Sequence, residues 1–225
     1  MTSLNKDSLV TLSQPRSSAA EAYRTLRTNL MFTSLDKPLT TLLVTSAAPD
    51  EGKSTTLANL AVTMAQGGRR TILVDCDLRR PTQHEIWGLA NERGLTTMVL
   101  ESDALANPPL TDVGIENLAV LPSGPVPPNP ADLLGSRRME EAIAALKSRA
   151  DIVLFDAPPV IAVTDAALLA SKLDGVLLVV EAGGTRRDHA QRAKEMLAKV
   201  NIRIVGAVLS NAPVDASLGG YYSQA

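Results

Sequence analysis

With 225 residues, 45% of them apolar and 20% charged, the chain is long enough to bury one sizeable core and too apolar to be a disordered polyampholyte. A formal net charge of -2 excludes a general electrostatic grip on nucleic acid or anionic lipid, so no nucleic-acid partner is expected. Aromatic residues make up only 3%, so the core must be aliphatic.

The first periodic segment is Ser18 to Phe32, SAAEAYRTLRTNLMF. Ser18 and Glu21 stand at capping-box spacing, and apolar residues recur at helical intervals, which predicts an amphipathic entry helix with Tyr23 packed on it. A strand over Thr41 to Thr45 then leads into SAAPDEGKST, Ser46 to Thr55, and a helix over Lys53 to Gln66. The loop fits the phosphate-binding pattern GxxxxGK[ST] except at Ala47, where the pattern has glycine. Strand before and helix after give the pattern its meaning. Ala48, Pro49, Asp50, Glu51, Gly52, Lys53, Ser54 and Thr55 would cradle phosphates, chiefly through backbone N–H groups and the positive end of the helix dipole. Lys53 would reach the terminal phosphates and the Ser54 hydroxyl would bind magnesium. Gly52 lies where the chain passes closest to phosphate and needs φ > 0, whereas Ala47 needs only to be small and keeps ordinary backbone angles.

Next comes TILVDCDLRRP, Thr71 to Pro81, a strand over Thr71 to Asp75 ending in two carboxylates. If the strand continued, Asp75 and Asp77 would lie on the same side. One could act as a general base and one as a magnesium contact, or both could be turn aspartates; the spacing assigns neither. Cys76 between them reads as a small buried hydrophobe. It is the only cysteine, and with no signal peptide this points to the cytosol. Arg79 and Arg80, like Arg186 and Arg187, read equally as phosphate contacts or solvated turns. His84 and His189 lack metal-ligand spacing, and Trp87 packs.

A strand over Leu118 to Leu121 runs into PSGPVPPNP, Pro122 to Pro130, which predicts a stiff extended surface loop. A helix over Arg137 to Arg149 precedes DIVLFDAPPV, in which a strand over Ile152 to Asp156 ends in a carboxylate of the form that senses magnesium in phosphate-loop enzymes. A helix over Asp165 to Lys172, a strand over Gly175 to Glu181, a helix over Arg186 to Val200 and a strand over Ile204 to Leu209 follow. A disordered tail, SNAPVDASLGGYYSQA, ends the chain. Strands this continuously apolar need cover on both faces, so the fold class is α/β: a P-loop NTPase-like, mostly parallel sheet between helices. One domain is expected, with an arm and helix over 1–37, a nucleotide-binding core over 38–212 and a tail over 213–225. No apolar run approaches the roughly 20 residues of a membrane helix. Three strand-end elements in this order indicate a magnesium-dependent ATP or GTP enzyme.

The same residues resemble the cytoplasmic domain of bacterial tyrosine kinases that control capsule and exopolysaccharide synthesis. EAYRTLRTNL resembles that family's ExxRxxR oligomerisation motif, SAAPDEGKST its Walker A, ILVDCDLRRP its Walker A′, LPSGPVPPNPADLL its proline-rich signature and IVLFDAPP its Walker B. The resemblance implies ATP and Mg2+ as cofactors, with Lys53 and Ser54 on phosphates and metal, Asp77 and Asp156 in the magnesium site, and Asp75 drawing the proton from tyrosine. It further implies that Asn211 reads adenine, that Glu21, Arg24 and Arg27 pair between subunits of a ring, an octamer being one form, and that Tyr221 and Tyr222 accept phosphate in trans. The partners implied are a membrane-spanning activator and a cognate tyrosine phosphatase. The chain would then be cytoplasmic and recruited to the inner face of the membrane; its initial Met1 suggests a stand-alone kinase activated in trans. A positioning or partitioning ATPase of the same deviant P-loop group, or a nucleotide-dependent scaffold, is the alternative. Those ATPases carry a lysine early in the loop, where this chain has Ala47, Ala48 and Pro49.

Overall fold

Runs such as LLV and IVLF have no polar face to offer water, and the chain meets this by stacking them into one sheet with helices on both sides. The computed structural model describes residues 5–33 and 38–213. After a 3₁₀ turn at Lys6–Ser8 come α1 (Val10–Ser13), α2 (Ser18–Thr33), β1 (Thr41–Ser46), α3 (Lys53–Gln66), β2 (Thr71–Asp75), α4 (Gln83–Trp87), α5 (Leu95–Leu100) and α6 (Ser102–Ala106). The second half contains β3 (Thr111–Asp112), β4 (Leu118–Leu121), α7 (Pro130–Gly135), α8 (Arg137–Lys147), β5 (Ile152–Asp156), α9 (Asp165–Ala170), β6 (Gly175–Glu181), α10 (Arg187–Lys199) and β7 (Ile204–Ser210). The sheet order is β3-β4-β2-β5-β1-β6-β7. Only the short β3–β4 pairing is antiparallel; the six predicted strands pair in parallel. Their carboxyl ends therefore share one edge, with β1 between β5 and β6 where open α/β sheets bind ligands.

Alternation along the strands divides the core into two layers. Leu43, Val153, Phe155 and Val176 face one side, with Met98 of α5, Met139 and Leu146 of α8, Leu169 of α9 and Leu197 of α10. Leu42, Val44, Leu154 and Val179 face the other, with Leu57, Leu60 and Met64 of α3. Apart from Phe155, the largest fully buried side chains are aliphatic or methionine, as the scarcity of aromatics requires. The arm before α2 docks on α3: Leu9 is fully buried, and Asn59 Oδ1 accepts from both the backbone N–H and the hydroxyl of Thr11, at 3.0 and 2.9 Å.

Three expectations change. The entry helix is capped by Ser17, whose hydroxyl accepts from the Ala20 N–H at 3.2 Å; Ser18 is already helical, so Glu21 turns to Arg24 instead, at 2.7 Å. The proline-rich segment is not simply a surface loop. Pro122, Ser123, Gly124 and Pro127 are buried, because the carbonyls of Pro122 and Ser123 accept from the N–H groups of Leu95 and Thr96, at 2.8 Å each, and Pro130 begins α7. Ser210 belongs to the last strand rather than to a tail, since its hydroxyl donates to the Glu51 carbonyl at 2.8 Å. The remainder of the expected tail, from Val214 onward and including Tyr221 and Tyr222, lies outside the described residues.

Candidate active site

The phosphate loop leaves β1 at Ser46 and turns into α3 through Gly52, whose φ of 78° is left-handed, as a close approach to phosphate demands. Asp50 is also left-handed, with φ 62°, a conformation that costs a non-glycine residue energy and must be held by its surroundings. Ala47 is not among the residues with positive φ. It is buried, and its N–H donates to Glu51 Oε2 at 2.9 Å. Glu51, read from sequence among the phosphate-cradling residues, turns its side chain inward. Its Oε1 accepts from the Thr185 hydroxyl at 2.5 Å, so this carboxylate ties the loop to the segment following β6, while the Glu51 backbone carbonyl holds Ser210 of β7.

Asp75 and Asp156 end neighbouring parallel strands as register partners. Between the carboxylates and the loop sits Lys53 Nζ, 3.0 Å from Asp77 Oδ2, 3.3 Å from Asp156 Oδ1 and 3.1 Å from Ser54 Oγ. Burial by itself would lower the pKa of this ammonium, but the carboxylates of Asp156, Asp77 and Asp75 outweigh it and hold the pKa above the ordinary lysine range.

The strand stops at Asp75, so the alternation that would have put Asp77 on the same side had it continued does not reach Asp77. Asp75 is fully buried. Its Oδ1 accepts from the Asp77 N–H at 3.1 Å, and its Oδ2 from the N–H groups of Thr82 and Gln83 at 3.0 and 2.9 Å. Burial and the neighbouring Asp156 charge push its pKa up to about 8, partly offset by the Gln83 N–H and Lys53. Asp77 faces a cavity of about 540 Å³ lined by Pro49, Asp50, Gly52, Lys53, Ser54 and Thr55 on one side and by Arg79, Arg80, Pro158, Pro159, Ala162 and Val163 on the other. A second cavity of about 490 Å³, near the opposite ends of β2 and β4, contains none of the candidate residues.

Two buried groups beside the site carry no signal in the sequence. Gln83 donates to Asp156 Oδ2 at 2.8 Å. Asp165, fully buried at the start of α9, receives both Arg79 Nε at 2.8 Å and a terminal guanidinium nitrogen at 3.0 Å. Arg79 is thereby fixed at the cavity wall rather than loose in a solvated turn, while Arg186 is an exposed partner of Asp188. Cys76 is buried, and burial raises its thiol pKa well above the usual range. Trp87 packs, as expected, and donates to Gln83 at 3.1 Å.

The remaining candidates lie off the cavity. Ala48 and the Glu51 side chain do not line it, and Asn211, exposed and left-handed, donates to Glu181 Oε1 at 2.8 Å. On α2, Glu21 and Arg24 pair with each other, and Arg27 donates to the Thr63 carbonyl at 2.8 Å near the end of α3. Tyr23 is half-buried on α2, and burial raises its pKa, opposed by a side-chain hydrogen bond with Thr56.

The residues present fit a magnesium ion. Ser54, Asp77 and Asp156 converge hard oxygen donors on a point already held by a cationic group, the Lys53 ammonium. Among the described residues no group of three or more His, Cys, Asp or Glu could hold a metal alone. Magnesium, which takes one or two carboxylates and completes its shell with phosphate and water, needs no such group.

A phosphate loop opening a helix, flanked by strand-end carboxylates on a parallel sheet, defines a nucleotide-binding protein of the P-loop NTPase class. A family profile described as an AAA domain matches residues 50–200. The septum site-determining protein MinD of Pyrococcus horikoshii, complexed with Mg-ADP, shares the fold, with TM-score 0.64, 23% identity, and 82% of this chain and 77% of that one covered. The particular relationship is closer. Tyrosine-protein kinase YwqD of Bacillus subtilis is 41% identical over 215 residues, covering 95% of this chain and 90% of that one. The crystal structure of the chimerical protein CapA2B2 superposes with TM-score 0.86 at 38% identity, covering 92% and 91%. The chain belongs to the bacterial tyrosine-protein kinases, and it is a nucleotide-binding enzyme that phosphorylates tyrosine.

Proposed function

We propose that the chain is an ATP- and Mg2+-dependent autokinase that phosphorylates Tyr221 and Tyr222 of a neighbouring copy, and that this cycle regulates capsule or exopolysaccharide synthesis. The observation that carries the reading is the meeting of Lys53 with Ser54 and Asp77 at the wall of an open cavity and with Asp156, which is fully buried and does not line it. Magnesium held by Ser54, Asp77 and Asp156 would neutralise charge developing on the transferred phosphoryl group. Lys53, now satisfied by carboxylates, would exchange them for the terminal phosphates as metal takes its place. The Gly52 turn and the first N–H groups of α3, which have no partner within the helix, would hold the phosphates.

Family resemblance gives the phenol proton to Asp75. Its raised pKa suits a base acting near neutral pH, and Oδ1, with a single N–H donor against two on Oδ2, has a lone pair to spare. The apolar wall of Pro158, Pro159, Ala162 and Val163 would seat the acceptor ring opposite the loop. Asn211 would contact adenine after releasing Glu181. Residues 38–212 would form the catalytic core, with residues 1–37 and 213–225 serving assembly and acceptance.

No helix among the described residues is long and apolar enough to cross a membrane. As the family resemblance implies, a membrane-spanning activator would recruit the kinase to the inner membrane face. Glu21, Arg24 and Arg27 would organise a homo-oligomeric ring, an octamer being one form, and a tyrosine phosphatase would reverse the reaction. Incubation with ATP, Mg2+ and the activator, followed by phosphotyrosine mass spectrometry, tests the proposal. Phosphate is expected on Tyr221 and Tyr222, with the rate reduced by at least about 10²-fold in Lys53→Met. ATP hydrolysis without tail phosphorylation would instead identify a nucleotide-driven switch.

A further inference from the structure

Gln83 opens α4 with its side chain fully buried. Its amide nitrogen donates to Asp156 Oδ2 at 2.8 Å and to the Ser54 carbonyl at 3.1 Å, while its amide oxygen accepts from Trp87 Nε1 at 3.1 Å. Two acceptors lie at one end of the amide and a donor at the other, so only one of its two orientations satisfies the surroundings. A carboxylate at a strand end rotates readily about its last torsion, which has broad minima. Here Gln83 holds Oδ2, and Oδ1 is left facing Lys53 at 3.3 Å.

We propose that Gln83 is a positioning residue for the metal of the bound nucleotide: it fixes the Asp156 carboxylate so that Oδ1 is presented, and joins Asp156 to the backbone of Ser54, a second of the three ligands. This rests on the reading of Ser54 and Asp156 as metal ligands. A neutral amide is the suitable group. An ionised glutamate would bring a fourth carboxylate beside Asp75, Asp77 and Asp156 and could donate nothing to Oδ2. Trp87, the only tryptophan in the sequence, sets which end of the amide faces the carboxylate.

The test uses the purified full chain and a fluorescently labelled ADP, titrated with Mg2+ and again with chelator; the ratio of the two dissociation constants is the magnesium advantage. Gln83→Leu is expected to lower that advantage about 10-fold and to leave the metal-free dissociation constant within about twofold. Trp87→Phe, which keeps an aromatic ring but loses the N–H, is expected to lower it about threefold. Asp156→Asn, as reference, should remove it. An undiminished advantage in Gln83→Leu beside its loss in Asp156→Asn overturns the role of Gln83 and leaves the metal site standing, as does an equal weakening of ADP binding with and without Mg2+. An undiminished advantage in Asp156→Asn overturns the metal reading itself. Should Gln83→Leu fail to fold, Trp87→Phe decides alone, and full retention of the advantage there sinks the proposal.

Discussion

At the scale of single residues, the site is governed by how much negative charge can be buried beside one lysine. Asp75 has an unfolded pKa of about 3.9, and the fold pushes it up to about 8. Between these values the native state keeps a proton that the unfolded chain has released, so stability falls as pH rises through this window. The urea midpoint of the nucleotide-free protein should therefore receive a declining contribution from about pH 5 to about pH 8. In Asp75→Asn, which cannot ionise, that slope should shrink, and an identical slope in both proteins would remove Asp75 from the account. Lys53 is the opposing charge. In Lys53→Met, Asp77 and Asp156 lose their cation in a site where they are 5% and 0% exposed; losing one partner of such a buried group costs about 3–5 kcal/mol. The variant should thus lose stability as well as activity, which calorimetry without nucleotide will register. Lys53, Ser54, Asp77 and Asp156 were legible in the sequence, because strand-end carboxylates and a Gly-Lys-Ser turn are local patterns. Gln83 and Asp165 were not, because each acts on a partner 73 or 86 positions away, and neither residue type at that spacing signals anything by itself.

At the scale of elements, regular structure followed from periodicity, and the connections did not. The helix at Lys53–Gln66 and the strands at Thr71–Asp75, Leu118–Leu121 and Ile152–Asp156 have the bounds their patterns suggested. α4 to α7 were missed: none exceeds six residues, too short for a 3.6-residue period to declare itself. The proline-rich segment shows what replaced the expected surface loop. A Cβ at Gly94 would lie 2.1 Å from the Pro122 carbonyl oxygen and 2.4 Å from the Gly124 nitrogen, so the two chains touch backbone to backbone. Gly94→Ala should cost about 1–3 kcal/mol, read from urea unfolding. A wild-type midpoint in that variant would mean the segment moves aside freely.

At the scale of the whole molecule, the proposed assembly rests on α2. Arg27 is already committed to the end of α3, so its replacement would disturb the fold along with any interface. Arg24 is the cleaner probe, since its partners, Glu21 and the Pro15 carbonyl, lie on or just before the same helix. If α2 builds the ring, Arg24→Ala should lower the mass measured by light scattering while leaving the thermal midpoint nearly unchanged. An oligomer of undiminished mass would remove Arg24 from the interface. The sequence by itself determined the fold class, the phosphate loop and the three strand-end carboxylates, because hydrophobic period, glycine and charge at element ends act over a few residues. Only the tertiary structure decided that Asp75 is sealed under three N–H groups while Asp77 faces the cavity, that Glu51 looks inward, and that Gln83 stands behind Asp156. Those outcomes depend on which strands become neighbours, and β2 beside β5 is a pairing of segments about 80 residues apart that no local pattern encodes.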